Sequence, residues 1–167
     1  VSIDETCIYV NDPPRYGFSK RGKRIAIKTK RYIRHDRKTL LLAISEKRGV
    51  LHHVMVSGAA NADVFRRFIE DLPASPGARL IMDNVAFHHS AAVKAAVRDR
   101  GFLAVYTPPY SPEFNPVENA FSVLKEALRR DTSAAFQRSL ARVTPPACSA
   151  FFRASLKAAE NHLGGNS

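Results

Sequence analysis

Three acidic side chains lie where carboxylates could bind a hard cation, each in a short, distinctive stretch of the sequence. Asp4 falls in SIDETC, Asp83 follows the apolar run LIM in IMDNVAFHHS, and Glu118 lies within PPYSPEFNPVENAFSVLK. Proteins bind Mg²⁺ through a few carboxylates together with substrate phosphate oxygens and waters, so a dedicated protein cage is not needed. Carboxylates on separate core elements suit a pair of such cations. The three acids, taken with a strongly basic segment described below, therefore indicate a metal-dependent phosphodiester enzyme.

Each acid also has an ordinary structural explanation. A helix that starts at Pro116 would place Asn115 at its N-cap and Glu118 third in the helix, where a carboxylate can reach back to the N–H of the cap. An aspartate that precedes asparagine, as Asp83 does, is common in turns. Asp4 is equally compatible with the solvated face of a strand. Taken singly, none of the three identifies a site.

Helical spacing after Pro116 separates an apolar stripe from a polar face. The stripe consists of Val117, Ala120, Phe121, Leu124 and Leu128. The polar face carries Glu118, Ser122, Lys125 and Arg129. Glu118 is therefore expected at the edge of a positive face, where it can hold a cation between protein and phosphate, and Lys125 becomes a candidate DNA contact.

Positive charge is concentrated in one part of the chain. The protein has 26 Lys and Arg against 15 Asp and Glu, a net charge of +11, and eleven of the basic residues lie between Arg15 and Lys38. Clustered cations neutralise successive phosphates and give nucleic-acid affinity that depends strongly on salt and little on sequence. The predicted DNA contacts in this segment are Lys20, Arg21, Lys23, Arg24, Lys28, Lys30 and Arg31. The alternatives are a solvated basic hairpin or an anionic membrane surface, although no amphipathic apolar face accompanies the charge.

Length and composition restrict the remaining possibilities. A chain of 167 residues with 45% apolar and 25% charged residues is an ordinary globular domain with one core. The longest aliphatic run, residues 40–44, is far shorter than the roughly 20 residues that span a bilayer, and the N-terminus lacks the features of a signal peptide. Cys7 and Cys148 are too few for a four-cysteine zinc site and are expected to be small buried residues in a reducing compartment. Because the chain begins at Val1 inside a strand-like run, we expect it to be a piece of a longer protein.

The elements that must position the three acids follow from hydrophobic periodicity and turn signals. Strands are predicted over residues 1–10, 24–29, 40–45, 50–56, 80–82 and 103–106. Helices are predicted over residues 61–72, 90–100 and 116–130, and from about 146 to 164 after a polar connection. This order indicates a mixed sheet covered by helices, an α/β architecture.

Four stretches together resemble the catalytic domain of DDE transposases of the mariner-like superfamily, in its bacterial insertion-sequence branch. They are SIDET, FSKRG, IMDNVAFHHS and PPYSPEFNPVENAFSVLK, which follow the order of that family between Val1 and about Arg130. The 34 residues between Asp83 and Glu118 are the spacing typical of the branch. The loop that ends in Asn-Pro-x-Glu is the specific part of the pattern, since a lone Asp-Asn pair is common.

The resemblance implies a ribonuclease H-like fold with a five-stranded mixed sheet flanked by helices. It implies that Asp4, Asp83 and Glu118 are catalytic residues and ligands of two Mg²⁺ or Mn²⁺ ions, supported by Asn84 and His88. Asn84 is expected to orient Asp83 through a hydrogen bond. Members of the family cut DNA at transposon ends and join the released 3′ hydroxyl to target DNA, commonly at a TA step.

The chain also departs from the family pattern. Phe18 and Phe121 stand where tryptophan is often found, and the N-terminal helix-turn-helix region that recognises terminal inverted repeats is absent. Residues 131–167 are expected to be a C-terminal helical extension of the single catalytic domain. The resemblance implies DNA as the partner, a homodimer or larger assembly when active, no membrane, and a bacterial cytoplasmic location at the nucleoid. A remnant that only binds DNA, or another ribonuclease H-like nuclease, are the alternatives.

Overall fold

The computed structural model describes residues 1–9, 19–23, 37–130 and 136–164. In that part of the chain five strands form one sheet: β1 (Ser2–Tyr9), β2 (Arg37–Ser45), β3 (Gly49–Ser57), β4 (Arg79–Met82) and β5 (Leu103–Tyr106). The helices are α1 (Ala62–Glu70), α2 (Ala91–Asp99), α3 (Pro116–Arg130), α4 (Phe136–Leu140) and α5 (Pro145–Gly164). Two short 3-10 helices lie at Ala86–His89 and Pro112–Phe114.

The sheet is mixed, with the strand order β3-β2-β1-β4-β5. The pairs β1–β2 and β2–β3 are antiparallel, whereas β1–β4 and β4–β5 are parallel. Ser2 on β1 is paired with Ile81 on β4. Because parallel strands advance together, the same register continued along both strands sets Asp4 level with Asp83, just past the end of β4.

Helices cover both faces of the sheet, and the alternation of side chains along β2 shows how. Leu41 and Ala43 point into a core shared with α1 and α2, which includes Phe65 and Phe68. Leu40, Leu42 and Ile44 point into the opposite core, which is shared with α3, α4 and α5 and centred on Val117, Phe121, Leu124 and Cys148. On β1, Ile3 belongs to the first core and Ile8 to the second. Even-numbered residues of β1, Asp4 included, therefore face α3.

Most of the predicted elements are confirmed. The bounds of α3 are those read from the sequence, and the Asn61 side chain caps α1 by accepting a 3.0 Å hydrogen bond from the Val64 N–H. Ser90 caps α2 in the same way through the N–H of Val93. The strand predicted over residues 24–29 lies outside the described residues.

Three parts of the sequence reading differ from the structure. The polar connection before the last helix contains α4, which forms because its Leu140 is buried in the second core. Cys148 is fully buried as expected, whereas Cys7 is only half-buried. The 3-10 helices were not predicted, since single turns leave no periodic pattern to detect. Among the described helices none is long and apolar enough to cross a bilayer.

Candidate active site

The first turn of α3 is held by a side chain of β1, near the N-terminus of the chain. The Ser2 hydroxyl, and not the Asn115 side chain, accepts the hydrogen bond from the Val117 N–H, at 2.9 Å. Ser2 Oγ in turn donates to Asn115 Oδ1 at 2.5 Å, and Asn115 Nδ2 donates to Asp4 Oδ2 at 3.0 Å. The alternative explanation, in which Glu118 reaches back to the cap N–H, does not apply, because the Asn115 N–H donates to the Pro112 carbonyl and Ser2 of β1 supplies the cap. The Glu118 carboxylate is left to face a cavity.

The three predicted acids line one cavity of about 390 Å³. Asp4 comes from β1, Asp83 follows β4, and Glu118 comes from the first turn of α3. The loop between β5 and α3, residues 107–112, forms another wall. Asp4 is 6% exposed, and Glu118 is half-buried. The sheet register and the rigid start of α3 thus bring together carboxylates that are far apart in the sequence.

His88 contacts the Asp83 carboxylate from the buried side, next to Phe65. Its ring is fully buried and stacks on Phe65, with 4.0 Å between ring centroids. His88 Nδ1 lies 2.7 Å from Asp83 Oδ1, and Nε2 lies 3.4 Å from Glu5 Oε2. Burial lowers the pKa of His88, but hydrogen bonds to Asp83 and Glu5 outweigh burial and raise it to about 9. His88 is therefore an imidazolium bridge between two carboxylates at neutral pH.

Two residues depart from the sequence reading. Asn84 lines the cavity, but its Oδ1 pairs with His89 Nε2 at 2.6 Å, and the Asp83 carboxylate that Asn84 was expected to orient is contacted instead by His88 Nδ1, at 2.7 Å. Glu5 was not identified from the sequence. The signal available was strand alternation, which points Glu5 to the face opposite Asp4, where His88 is buried.

Burial and neighbouring negative charge disfavour the ionised forms of Asp4 and Glu118. Burial raises the pKa of Asp4 to about 8, with further contributions from the charges of Asp83, Glu5 and Glu118 against the hydrogen bond from the Glu5 N–H. Burial also raises the pKa of Glu118, a shift that Lys125 opposes and that Asp83 and Glu5 reinforce. A cavity with this excess of negative charge favours a cation.

These donors fit Mg²⁺ or Mn²⁺ bound in an open site rather than in a closed cage. Within the described residues no group of three or more Asp, Glu, His or Cys side chains is already arranged to hold a metal ion. Hard oxygen ligands on several walls of a cavity, with room for waters and phosphate oxygens, are what Mg²⁺ uses. Asp4, Asp83 and Glu118 are the residues here that would hold such an ion.

The predicted DNA contacts divide into three groups. Lys125 lies beside the site, where its Nζ donates to Thr6 Oγ1 at 2.5 Å and sits 5.9 Å from the centre of the Phe121 ring. Lys20, Arg21 and Lys23 are exposed in a turn that includes Gly22 at φ 82°. The remaining predicted contacts, Arg24, Lys28, Lys30 and Arg31, lie outside the described residues.

The metal-free protein is expected to lose stability as the pH rises from about 6.5 to 9. The pKa values of Asp4 and His88 are raised to about 8 and about 9, so the folded state keeps protons that the unfolded chain has released. Each such proton lowers the free energy of unfolding by about 1.4 kcal/mol per pH unit. Urea denaturation in EDTA across this range measures the slope, and Asp4→Asn should make it shallower. An unfolding free energy that is constant or rises over the same range would contradict these protonation states.

Comparison with known proteins places this arrangement in context. A family model described as DDE superfamily endonuclease matches residues 1–141. The fold is similar to that of the Mos1 transposase paired-end complex with left transposon end, at a TM-score of 0.77 and 16% identity over 98% of this chain and 54% of that chain. It is also similar to the Mos1 mariner paired end complex with Mn, at a TM-score of 0.78 and 13% identity, with the same coverage of 98% and 54%.

A shorter structure gives the same result. The catalytic domain of Mos1 mariner transposase matches at a TM-score of 0.69 and 13% identity over 98% of this chain and 79% of that chain. The chain therefore spans about half the length of the first two Mos1 chains, which are 54% covered, and most of the isolated catalytic domain. The five-stranded mixed sheet with flanking helices is the ribonuclease H-like fold of these catalytic domains, as expected. A search of curated proteins found no match.

Proposed function

Because the chain belongs to the DDE superfamily of endonucleases, we propose that it is the catalytic domain of a mariner-like transposase of the bacterial insertion-sequence branch. In this proposal it cuts DNA at transposon ends and joins the released 3′ hydroxyl to target DNA. The observation that carries the proposal is the convergence of Asp4, Asp83 and Glu118 from three separate elements on one cavity. A protein that only binds DNA has no use for the Asp4 and Glu118 carboxylates at positions where burial and neighbouring acids raise their pKa values.

The proposed roles follow from the contacts of each side chain. Asp4, Asp83 and Glu118 hold two Mg²⁺ or Mn²⁺ ions, which supply activation of the attacking oxygen and stabilisation of the leaving oxygen. His88 keeps Asp83 in place through the 2.7 Å contact to its Oδ1. The charge of Lys125 opposes the rise in the pKa of Glu118. The Lys125 ammonium group binds a phosphate at the edge of the site. Two of the similar structures are Mos1 paired end complexes with Mn and with Mg, which supports the choice of metals.

The proposed partners are transposon-end and target DNA, and the proposed active form is a homodimer or larger assembly. The similar Mos1 structures include a paired-end complex with left transposon end and a strand transfer complex, which supports both proposals. The proposed location is the bacterial cytoplasm, at the nucleoid. In this organisation residues 131–167 complete the single catalytic domain as a helical extension.

The direct test is nicking of supercoiled plasmid by the purified chain. Mn²⁺ or Mg²⁺ should be required, EDTA should stop the reaction, and the nicks should carry 3′ hydroxyl ends that a polymerase can extend. Asp83→Asn purified in parallel excludes a contaminating nuclease. Nicking by the wild-type chain in EDTA, or equal nicking by Asp83→Asn, would contradict the proposal.

The basic segment should provide DNA affinity that is independent of sequence. Changing Lys20, Arg21 and Lys23 together to Gln should weaken binding to any duplex by about 10-fold or more in low salt, with a salt slope smaller by up to about 3. A matched variant changes Lys47, Lys94 and Lys157, which are exposed elsewhere, to Gln and keeps the same net charge. Fluorescence anisotropy over a salt series compares the two. Equal losses in both variants would show that net charge, and not this segment, determines affinity.

A further inference from the structure

Asn115 is the most deeply buried amide beside the cavity, and both ends of its side chain are hydrogen-bonded. It is 1% exposed and stands between β1 and the first turn of α3. Its Oδ1 accepts from Ser2 Oγ, and its Nδ2 donates to Asp4 Oδ2. A buried amide with two partners on the same strand is fixed in one orientation.

The direction of these hydrogen bonds is set by the backbone. The Val117 N–H can only donate, so Ser2 Oγ accepts there and has its own proton left to donate. That proton goes to Asn115 Oδ1, because an amide oxygen can only accept. The Nδ2 of Asn115 must then donate to Asp4, whose carboxylate oxygen can accept the hydrogen bond. The chain of donors therefore starts at a peptide group of α3 and ends on Asp4.

We propose that Asn115 is a positioning residue of the active site, which holds the Asp4 carboxylate in one orientation and ties it to the helix that carries Glu118. This inference rests on the proposed function. Asp4 Oδ1 accepts from the Glu5 N–H at 2.7 Å, so Asn115 provides the second of two donors, one for each carboxylate oxygen. Each oxygen keeps a lone pair for the cavity that Asp4 lines.

The same contact couples two elements of the site. Asn115 immediately precedes α3, and Glu118 lies three residues further on, within the first turn. A shift of α3 relative to β1 would have to break the bonds from Asn115 to Asp4 and from Val117 to Ser2. Asn115 thereby links the position of Asp4 to that of Glu118.

Mn²⁺ binding to the DNA-free protein, followed by electron paramagnetic resonance, tests the proposal without relying on activity. Asn115→Ala should weaken Mn²⁺ binding about 10–100-fold, the range seen when groups that orient metal ligands are removed. Ser2→Ala removes the cap of α3 but keeps the amide donor to Asp4, so its loss should be smaller. Asn61→Ala, the same change at the remote cap of α1, should leave Mn²⁺ affinity within about twofold of wild type although it removes the cap of that helix.

A second readout needs no metal. The side-chain carboxyl ¹³C resonance of Asp4, recorded in EDTA, should move in Asn115→Ala and stay in place in Asn61→Ala. An Asn115→Ala protein with wild-type Mn²⁺ affinity, or with the same loss as Ser2→Ala and an unmoved Asp4 resonance, would overturn the proposal. A wild-type chain that binds no Mn²⁺ would instead contradict the proposed function, and the Asp4 resonance alone would then decide whether Asn115 orients that carboxylate.

Discussion

Glu118→Gln should reduce metal-dependent DNA cleavage by at least about a thousandfold while leaving DNA affinity unchanged or slightly higher. The amide has nearly the shape of the carboxylate, so α3 and its start at Pro116 should be retained. The charge that it removes faces the cavity beside Asp4 and Asp83. That charge is costly in the free protein, since burial raises the pKa of Glu118 and the charges of Asp83 and Glu5 add to the rise, against the charge of Lys125. Removing it should therefore weaken catalysis without weakening the fold.

The control for this variant is Glu113→Gln. Glu113 is exposed in the short helix before α3, five residues from Glu118, and does not line the cavity. Cleavage by Glu113→Gln should match wild type, and plasmid nicking with anisotropy on the same duplex measures both quantities. If Glu118→Gln cleaves as well as Glu113→Gln, the assignment of Glu118 as a catalytic carboxylate is wrong.

His88→Ala should lower the free energy of unfolding by about 3 kcal/mol or more at neutral pH. The loss has two sources. The ring is fully buried against Phe65, so its removal leaves a cavity in the first core. It also leaves Asp83 and Glu5 without the cation between them. Urea denaturation at pH 7 gives the measurement.

His89→Ala is the neighbouring control, since His89 is not fully buried and should cost about 1 kcal/mol or less. A double-mutant cycle separates the two sources of the His88 effect. Asp83→Asn made in the His88→Ala background should recover part of the loss, because it removes a carboxylate that has lost its partner. A His88→Ala protein as stable as His89→Ala, or no recovery in the double variant, would show that His88 is not an ionic bridge.

Local patterns in the sequence were enough for the helices and for the identity of the three acids. Pro116 and the apolar stripe from Val117 to Leu128 define α3 because a helix is a repeat of local contacts that each turn specifies. Asn61 and Ser90, the first residues of two predicted helices, cap α1 and α2 by binding groups only three residues away. Asp4 and Asp83 were identified by their place in or after short apolar runs, although each also had an ordinary explanation.

The sequence alone did not determine which groups the side chains of the site bond to. Asn115 has the residue type and position of an N-cap, but its side chain bonds to residues 111 and 113 positions away, and Ser2 performs the capping. Asn84 was expected to orient Asp83, yet its side chain pairs with His89, and the contact to the Asp83 carboxylate comes from His88. A side chain with several possible partners bonds to whichever the packing brings nearest, and local spacing carries no information on that choice.

The sequence by itself determined which residues could do chemistry, where α1, α2, α3 and α5 lie, and that a mixed sheet is covered by helices. Tertiary structure alone decided that Asp4 and Asp83 are level across β1 and β4 and that Glu118 lines the same cavity. It also decided that His88, which contacts Asp83, contacts Glu5 with its other ring nitrogen. The physical reason is the range of the interactions. Periodicity and capping act within a few residues, whereas strand register and buried charge depend on groups that only the folded chain brings within a few ångströms.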